Sequence, residues 1–351
     1  MSLVSFVRGR VWTRTDPWAR CLVVGLRPLS WLFRAGVGAR SVVYGTGLVS
    51  PRKAPIAVVS VGNLSVGGTG KTPLTLWLAR RLCGRGSRAA IVSRGYGGSS
   101  GDVTVVSGGD GPIVDAAVVG DEPVMMARSF DGVVVTARRR IDGVRRAAEL
   151  GCDVAVLDDG FQHRRLARDF DIVIYDGLRG PLLPAGPMRE SPRALRRADA
   201  VVLTSAAGDL PRSIGRDVPT FRMTTELTGL VESVGGEWQA RSLACLAGKR
   251  VVAVVGIAHP ERFYDSIHRW DATIEEVFEY PDHHPYTRAD WQKVSRRSQD
   301  CDLLVTTEKD LVKLQAFPFA RGKLMALRVE PSLDDEERML ALIEERIAVA
   351  D

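Results

Sequence analysis

Short apolar runs punctuate this chain, separated by longer segments of mixed character. They lie at Ile56–Val61, Ala89–Val92, Val133–Val135, Val154–Leu157, Ile172–Tyr175 and Val201–Leu203. Each has strand length, and helix-length stretches such as Ile141–Leu150 stand between several of them. That rhythm predicts an α/β fold: a mainly parallel sheet with helices on both faces and ligands at the carboxyl ends of the strands. It breaks over 206–248, which is polar, irregular and glycine-bearing with weak alternation around Glu226–Val234, so a connector is expected there, with a β-ribbon as one form it can take. The rhythm resumes at Val251–Val255, Leu303–Val305 and Leu324–Val329, and a charged helix opened by Ser332 is expected to end it.

The first fifty residues read differently. Trp18, Leu22, Val23, Leu26, Leu29, Trp31, Leu32 and Phe33 are interspersed with Arg20, Arg27 and Arg34. No stretch approaches the ~20 apolar residues that span a bilayer. Tryptophan and leucine with arginine at intervals suit a helix lying in a membrane interface, and a helix packed on the core fits the same pattern. Pro28 is expected to split the segment into two short helices.

The candidate chemistry starts at Ser65-Val66-Gly67-Gly68-Thr69-Gly70-Lys71-Thr72, which follows the first apolar run and opens a helical pattern (Leu74, Trp77, Leu78, Leu82). Strand, glycine-rich turn and helix start form a phosphate cradle of backbone N–H groups and helix dipole. Lys71 is placed to reach the β/γ oxygens and Thr72 to ligate Mg²⁺. Ser65 stands where the usual motif has its first glycine. Downstream, the strand Val154–Leu157 ends in Asp158 and Asp159, a position suited to holding Mg²⁺ beside such a turn. Adjacent residues of a strand point to opposite sides, so one acid is expected at the metal and the other toward substrate or a loop. Gln162 and His163 follow closely enough to meet phosphate or substrate oxygens. Asp121, in Gly120-Asp121-Glu122-Pro123, reads equally as a helix cap or as a carboxylate that takes a proton from an attacking hydroxyl.

Beyond residue 250, His283 and His284 lie in a loop with no cysteine or further histidine at zinc-ligand spacing. A histidine there can orient a general base. Thr306-Thr307-Glu308-Lys309-Asp310 has only a superficial likeness to a guanine-reading motif, because its lysine abuts the aspartate. A switch ATPase or GTPase is the rival reading, and it lacks a guanine- or partner-reading motif.

Composition narrows the classes. Over 351 residues, 45% apolar and 26% charged content excludes wholesale disorder and a polytopic membrane protein. A net charge of +6 suits an anionic substrate or membrane surface. Zinc-finger, RRM and KH signatures are absent and the arginines are not interleaved with aromatics, so no nucleic-acid partner is expected. Five scattered cysteines without a C-x-x-C indicate a reducing compartment, no cleavable signal peptide is evident, and no obligate protein partner is indicated.

Taken in order, the motifs resemble those of the tetraacyldisaccharide 4'-kinase family. They are Val61-Gly62-Asn63-Leu64, Ser93-Arg94-Gly95-Tyr96-Gly97-Gly98, Gly120-Asp121-Glu122-Pro123 and Asp158-Asp159-Gly160-Phe161-Gln162-His163. Leu183-Pro184-Ala185-Gly186-Pro187-Met188-Arg189-Glu190, Gly256-Ile257-Ala258-His259-Pro260-Glu261-Arg262-Phe263, Asp282-His283 and Thr307-Glu308-Lys309-Asp310 follow, so the likeness covers most of 18–313. Ser65 is ordinary for that family. The segment between Gly177 and Leu183 is shorter than the family's by about four residues, a change surface loops tolerate.

The resemblance implies transfer of the ATP γ-phosphate to the 4'-hydroxyl of a tetraacylated glucosamine disaccharide 1-phosphate, giving lipid IVA. It also implies peripheral attachment to the cytoplasmic face of the bacterial inner membrane, with the glycolipid and an anionic membrane surface as partners. By the same resemblance Asp121 is the catalytic base, paired with His283. Thr72, Asp158 and Asp159 form the Mg²⁺ end, Lys71 meets the phosphates, and Glu190 meets the sugar, with Gln162 kept as a substrate-binding residue on the reading given above. Arg139 and His163 lie in the active site, with Arg138 and Arg140 open as alternatives to Arg139. The expected organisation is an amphipathic membrane-associating segment (1–50), a P-loop kinase core (51–205), the connector (206–248) and a smaller C-terminal α/β lobe (249–351).

Overall fold

The computed structural model describes residues 12, 17–99, 101, 103–211, 214, 217–257 and 260–348. His259, and the N-terminal segment before Pro17 apart from Trp12, lie outside the described residues. The strands are β1 (Ala57–Asn63), β2 (Ala89–Ser93), β3 (Thr104–Gly108), β4 (Val133–Thr136), β5 (Val154–Asp158), β6 (Phe170–Tyr175) and β7 (Ala200–Thr204). Then come β8 (Thr220–Val234), β9 (Glu237–Arg241), β10 (Arg250–Val255), β11 (Thr273–Glu279), β12 (Leu303–Thr307) and β13 (Leu324–Leu333). The α-helices are α1 (Pro17–Gly45), α2 (Lys71–Gly84), α3 (Ala116–Val119), α4 (Asp121–Ser129) and α5 (Arg140–Glu149). They continue with α6 (Glu261–His268), α7 (Arg288–Arg297), α8 (Glu308–Leu314) and α9 (Glu336–Ala348).

The chain forms two compact units, and neither is continuous in sequence. One comprises Met1–Arg94, Val135–Thr224 and Pro331–Asp351, the other Gly95–Val134 and Thr225–Glu330. These boundaries differ from the linear division expected above. Sheet pairing joins segments far apart in the chain, and apolar periodicity carries no record of which segments pair.

In the first unit the parallel strands run β2-β5-β1-β6-β7, with the start of β8 beside β7. Every residue of β1, β2, β5, β6 and β7 is buried, so both sheet faces are covered, as a parallel sheet requires. Helices α2 and α5 pack on its strands, as does α9 from the chain's far end. Ser332 belongs to β13 and does not open α9, contrary to the expectation. The side chain that meets the helix start is that of Asp335, whose carboxylate accepts from the Arg338 amide at 3.2 Å.

Helix α1 is continuous through Pro28, which the sequence reading had placed at a break. The ring removes one N–H, but Pro28 and Val24, whose carbonyl loses its partner, are both exposed and water can serve that carbonyl. Only a narrow stripe of α1 is packed. Ala19 and Val23 are buried, Val23 lies against Ala185, and the Ser30 hydroxyl donates to the Leu182 carbonyl at 2.9 Å while accepting from the Ala185 amide at 3.0 Å.

In the second unit the parallel order is β11-β10-β12-β13, and the later part of β8 pairs antiparallel with β9, forming a ribbon. Apolar clusters around Val251 and Val252 sit on either side of β10. Strands β3 and β4 are neighbours, and α4 packs against α8. That contact joins residues near 121 to residues near 310.

Gly62 lies one residue before the end of β1, where Phe161 crosses it: a Cβ there would meet the Phe161 Cβ at 2.4 Å and its amide nitrogen at 3.0 Å. Gly62→Ala should destabilise the fold by about 1–3 kcal/mol, the usual range for overpacking a rigid neighbour. A lower urea midpoint at unchanged m-value is the expected result.

Candidate active site

Strand β1 delivers the chain into the glycine turn, and the turn ends at Gly70, whose left-handed backbone (φ 89°) starts α2 at Lys71. The Asn63 amide donates to the Thr69 hydroxyl at 2.8 Å, tying the end of β1 to the turn. Ser65 does work that a glycine cannot. Its buried hydroxyl donates to Asp176 at 2.9 Å, while the next amide, Val66, donates to the Pro187 carbonyl at 2.8 Å. The turn is thus fastened to the loop after β6.

Asp158, the last residue of β5, and Asp159, just beyond it, have separate surroundings. Asp158 is buried, pairs in register with Val61, and accepts from the Thr75 hydroxyl at 3.4 Å. Asp159 leaves the strand in a left-handed conformation (φ 55°) and its carboxylate meets Arg189 at 2.7 Å and Lys71 at 3.9 Å. Burial pushes the Asp159 pKa up, but Lys71 and then Arg189 outweigh it and hold the group below the usual carboxylate range. Thr72, Asp158 and Asp159 offer the hard oxygen donors that Mg²⁺ takes. Mg²⁺ retains several waters alongside one or two carboxylates, so a site with few acids suits it.

Among Arg138, Arg139 and Arg140, the last is the one at the strand end. Arg140 is buried, donating to the Ala137 carbonyl at 2.9 Å and the Asp158 carbonyl at 3.3 Å. Burial lowers its pKa to about 10, with Asp158 and Asp159 acting against the shift. Arg139 is exposed and pairs with Asp142 at 3.4 Å on its own helix. Gln162 donates to the Asn63 carbonyl at 2.8 Å, and its amide oxygen accepts from Arg189 at 3.4 Å. Glu190, buried, accepts from both terminal nitrogens of Arg197 at 2.8 and 3.2 Å.

In the second unit, Gly120 caps α4 with φ 94°, and Asp121 is the first helical residue, so it is not the cap. Its buried carboxylate meets His283 Nδ1 at 2.9 Å and Lys313 Nζ at 3.0 Å, and accepts from the Glu122 amide at 3.0 Å. His283, itself left-handed (φ 62°), has Lys309 Nζ 3.3 Å from its other ring nitrogen. Lys309 also pairs with Asp282. Burial alone would raise the Asp121 pKa. The His283 hydrogen bond and the Lys309 and Lys313 charges override it and hold the carboxyl far below its usual range. The hydrogen bond to Asp121 raises His283 despite burial and the charge of Lys309.

Sequence reasoning met Lys309 only as part of a motif and gave no site role to it, to Lys313 or to Arg189. Lys309 and Lys313 are four apart and share a face of α8, a spacing visible in the sequence. What the spacing could not show was that the face meets Asp121.

The imidazole of His163 is held neutral: burial first, then Arg140, Arg168, Arg165 and Arg94, lower its pKa from 6.5 to about 4. Between those values the unfolded chain binds a proton that the folded one refuses, so stability falls as pH drops through that window. His163→Gln should flatten this acid-side loss, checked by urea midpoints from neutral pH down to the lower value.

A family model described as "Tetraacyldisaccharide-1-P 4'-kinase" matches residues 22–348. A tetraacyldisaccharide 4'-kinase of Anaeromyxobacter dehalogenans (strain 2CP-C) is 43% identical over 321 residues, covering 86% of this chain and 84% of that protein. One from Geobacter sulfurreducens is 42% identical over 305 residues, covering 85% of this chain and 86% of its own length. Among solved structures, the "apo" form of LpxK from Aquifex aeolicus in complex with ATP superimposes with a TM-score of 0.78 at 32% identity, covering 93% of this chain and 99% of that one. With that much of its length matched, the chain belongs to the tetraacyldisaccharide 4'-kinase family.

Proposed function

We propose that this protein transfers the γ-phosphate of ATP to the 4'-hydroxyl of a tetraacyldisaccharide 1-phosphate, forming lipid IVA in lipid A biosynthesis. The observation that carries the reading is the 2.9 Å contact between Asp121 and His283, residues 162 positions apart, in a chain that also builds a phosphate-binding turn. A nucleotide switch has no use for a carboxylate–imidazole pair of this kind. A hydroxyl acceptor does.

Lys309 can only donate, so the His283 nitrogen facing it accepts, and the proton on the other nitrogen is donated to Asp121. Asp121 is then oriented and ionised, ready to take the acceptor's proton. A carboxylate so strongly stabilised is a weak base, which suffices because bond formation to the nucleophile lags in a loose phosphoryl-transfer transition state. Lys71 and the turn's amides meet the phosphates. Thr72, Asp158 and Asp159 would hold Mg²⁺, which neutralises charge on the phosphoryl oxygens when bound.

Labelled γ-phosphate from ATP, followed into the acylated disaccharide, tests the reaction. Asp121→Ala and His283→Ala should each lower kcat by roughly 10²–10⁴-fold with ATP affinity kept. Acting as a unit, they should lose little more together than the poorer single variant does. Multiplicative losses would break the pair into independent roles.

The acyl chains of the acceptor keep it in a bilayer, and we place the enzyme peripherally on the cytoplasmic face of the inner membrane. No helix among the described residues is long and apolar enough to cross a membrane. Helix α1 instead exposes Trp18, Leu22, Leu29, Trp31 and Leu32, the last two at 67% and 70%, with Arg27 and Arg34 also exposed. Such a face suits insertion among headgroups. Replacing Leu22, Trp31 and Leu32 by Ser leaves the packed stripe of α1 intact. It should shift the protein from membranes to the soluble fraction in sedimentation, while activity on detergent-dispersed acceptor is retained.

A further inference from the structure

Beyond the phosphoryl-transfer end, the first unit holds a second concentration of positive charge that no step above uses. Arg164 follows the Asp159–His163 turn, and its guanidinium lies over the Tyr44 ring of α1 at 5.0 Å. Its Nη1 is buried without a hydrogen-bond partner. One turn earlier on α1, Arg40 approaches Glu190 at 3.6 Å and donates to the Gln162 carbonyl at 3.5 Å. Arg197 lies over Phe161 at 4.5 Å and uses its terminal nitrogens on the same Glu190. The Nε atoms of Arg40 and Arg197 are also buried without partners.

Three guanidiniums therefore gather around one carboxylate. The nearby Arg168 stands outside this group, paired with Asp171 at 2.7 Å. Burial, then the charges of Arg197, Arg40 and Arg168, lower the proton affinity of Arg164, with Glu190 acting against them. An anion bound there would relieve that repulsion.

We propose that Arg164, with Arg40 and Arg197, forms the subsite for the acceptor's own phosphomonoester, the 1-phosphate at the end of the disaccharide remote from the reacting hydroxyl. This rests on the kinase reading above and deepens it. A phosphomonoester is a dianion with oxygens spaced for the planar fork of arginine, and an arginine with an unpartnered buried N–H is built to meet one. The location also fits. Gln162 separates the cluster from the nucleotide end, since its amide oxygen accepts from Arg189, the partner of Asp159, while its main-chain carbonyl accepts from Arg40. An acceptor carrying its reacting hydroxyl on one sugar and its phosphate on the other matches two sites set apart in this way. Arg40 and Tyr44 come from α1, so the same helix that exposes an apolar face would help hold the sugar-phosphate.

The test compares the tetraacyldisaccharide 1-phosphate with its 1-dephosphorylated form, both in neutral detergent micelles at saturating ATP. Wild type should prefer the phosphorylated acceptor in kcat/KM by roughly 10–100-fold, the size of a charge-assisted hydrogen-bonded contact. Arg164→Ala should lose a similar factor on that acceptor, through KM, and stay within about two-fold of wild type on the dephosphorylated one, with KM for ATP unchanged. Arg164→Lys keeps the charge and the packing on Tyr44 but not the fork, and should show an intermediate loss confined to the phosphorylated acceptor. Equal losses on both acceptors would make Arg164 a structural residue and overturn the subsite, as would a wild type that does not discriminate. Unchanged kinetics of Arg164→Ala, with sedimentation weaker than wild type on anionic but not on zwitterionic vesicles, would assign the cluster to lipid headgroups and also overturn it. Transfer by wild type to neither acceptor would overturn the kinase reading itself.

Discussion

The parallel pairing of β1 with β5 is the constraint from which the nucleotide end of this protein follows. Its register sets Val61 opposite Asp158, so the strand that feeds the glycine turn and the strand that ends in two acids finish side by side. Both strands are buried throughout, so slipping the register would expose apolar side chains and misplace the turn together with the acids. Phe161, fully buried against Gly62, locks the following loop to β1. Positioning of Lys71, Asp158, Asp159 and Arg140 is therefore a property of the sheet, and the local loops only refine it.

Charge compensation is the second theme. Lys71 and Arg189 both face the Asp159 carboxylate. Lys313 meets Asp121 directly and Lys309 reaches it through His283, while Asp282, Glu122 and Asp310 answer the two lysines in turn. The result is a carboxylate that stays ionised while nearly out of water, which otherwise carries a heavy desolvation penalty. Around Glu190 the balance differs, because Arg40, Arg197 and Arg164 outnumber the one carboxylate, and an anion bound there would relieve the surplus.

Helix α1 is held by a narrow set of contacts, which towards its C-terminal end are those of Arg40 with Glu190 and the Gln162 carbonyl and of Tyr44 with Arg164. A few small or apolar residues and the two hydrogen bonds of the Ser30 hydroxyl attach it to the loop at 182–185, leaving its large apolar side chains exposed. A packed core helix would bury tryptophan and leucine first, since those side chains gain most from leaving water. The inverse distribution makes sense when the solvent on that side is partly apolar.

The chain's periodicity and its glycine-rich segment were enough to determine the α/β class, the position of most strands and the strand–turn–helix at Ser65–Thr72, because buried parallel strands are continuous apolar runs and turn chemistry is local. Motif order was enough to place Asp121, His283, Lys71 and the paired acids in one family. Other features waited for the tertiary structure. Three consecutive arginines are indistinguishable in sequence, and only the start of α5 decides that Arg140 points into the protein while Arg139 stays in water. Pro28 does not break α1, because whether a lost hydrogen bond is damaging depends on whether water can replace it. The two units interleave in sequence, which follows from strand pairing and not from any boundary signal. Lys309 stands in the sequence only inside a motif and Lys313 in none, until α8 packs against α4 and delivers Lys313 to Asp121 and Lys309 to His283. Local chemistry is written in neighbouring residues. Electrostatic environment is set by contacts between residues distant in the chain, and those exist only once it has folded.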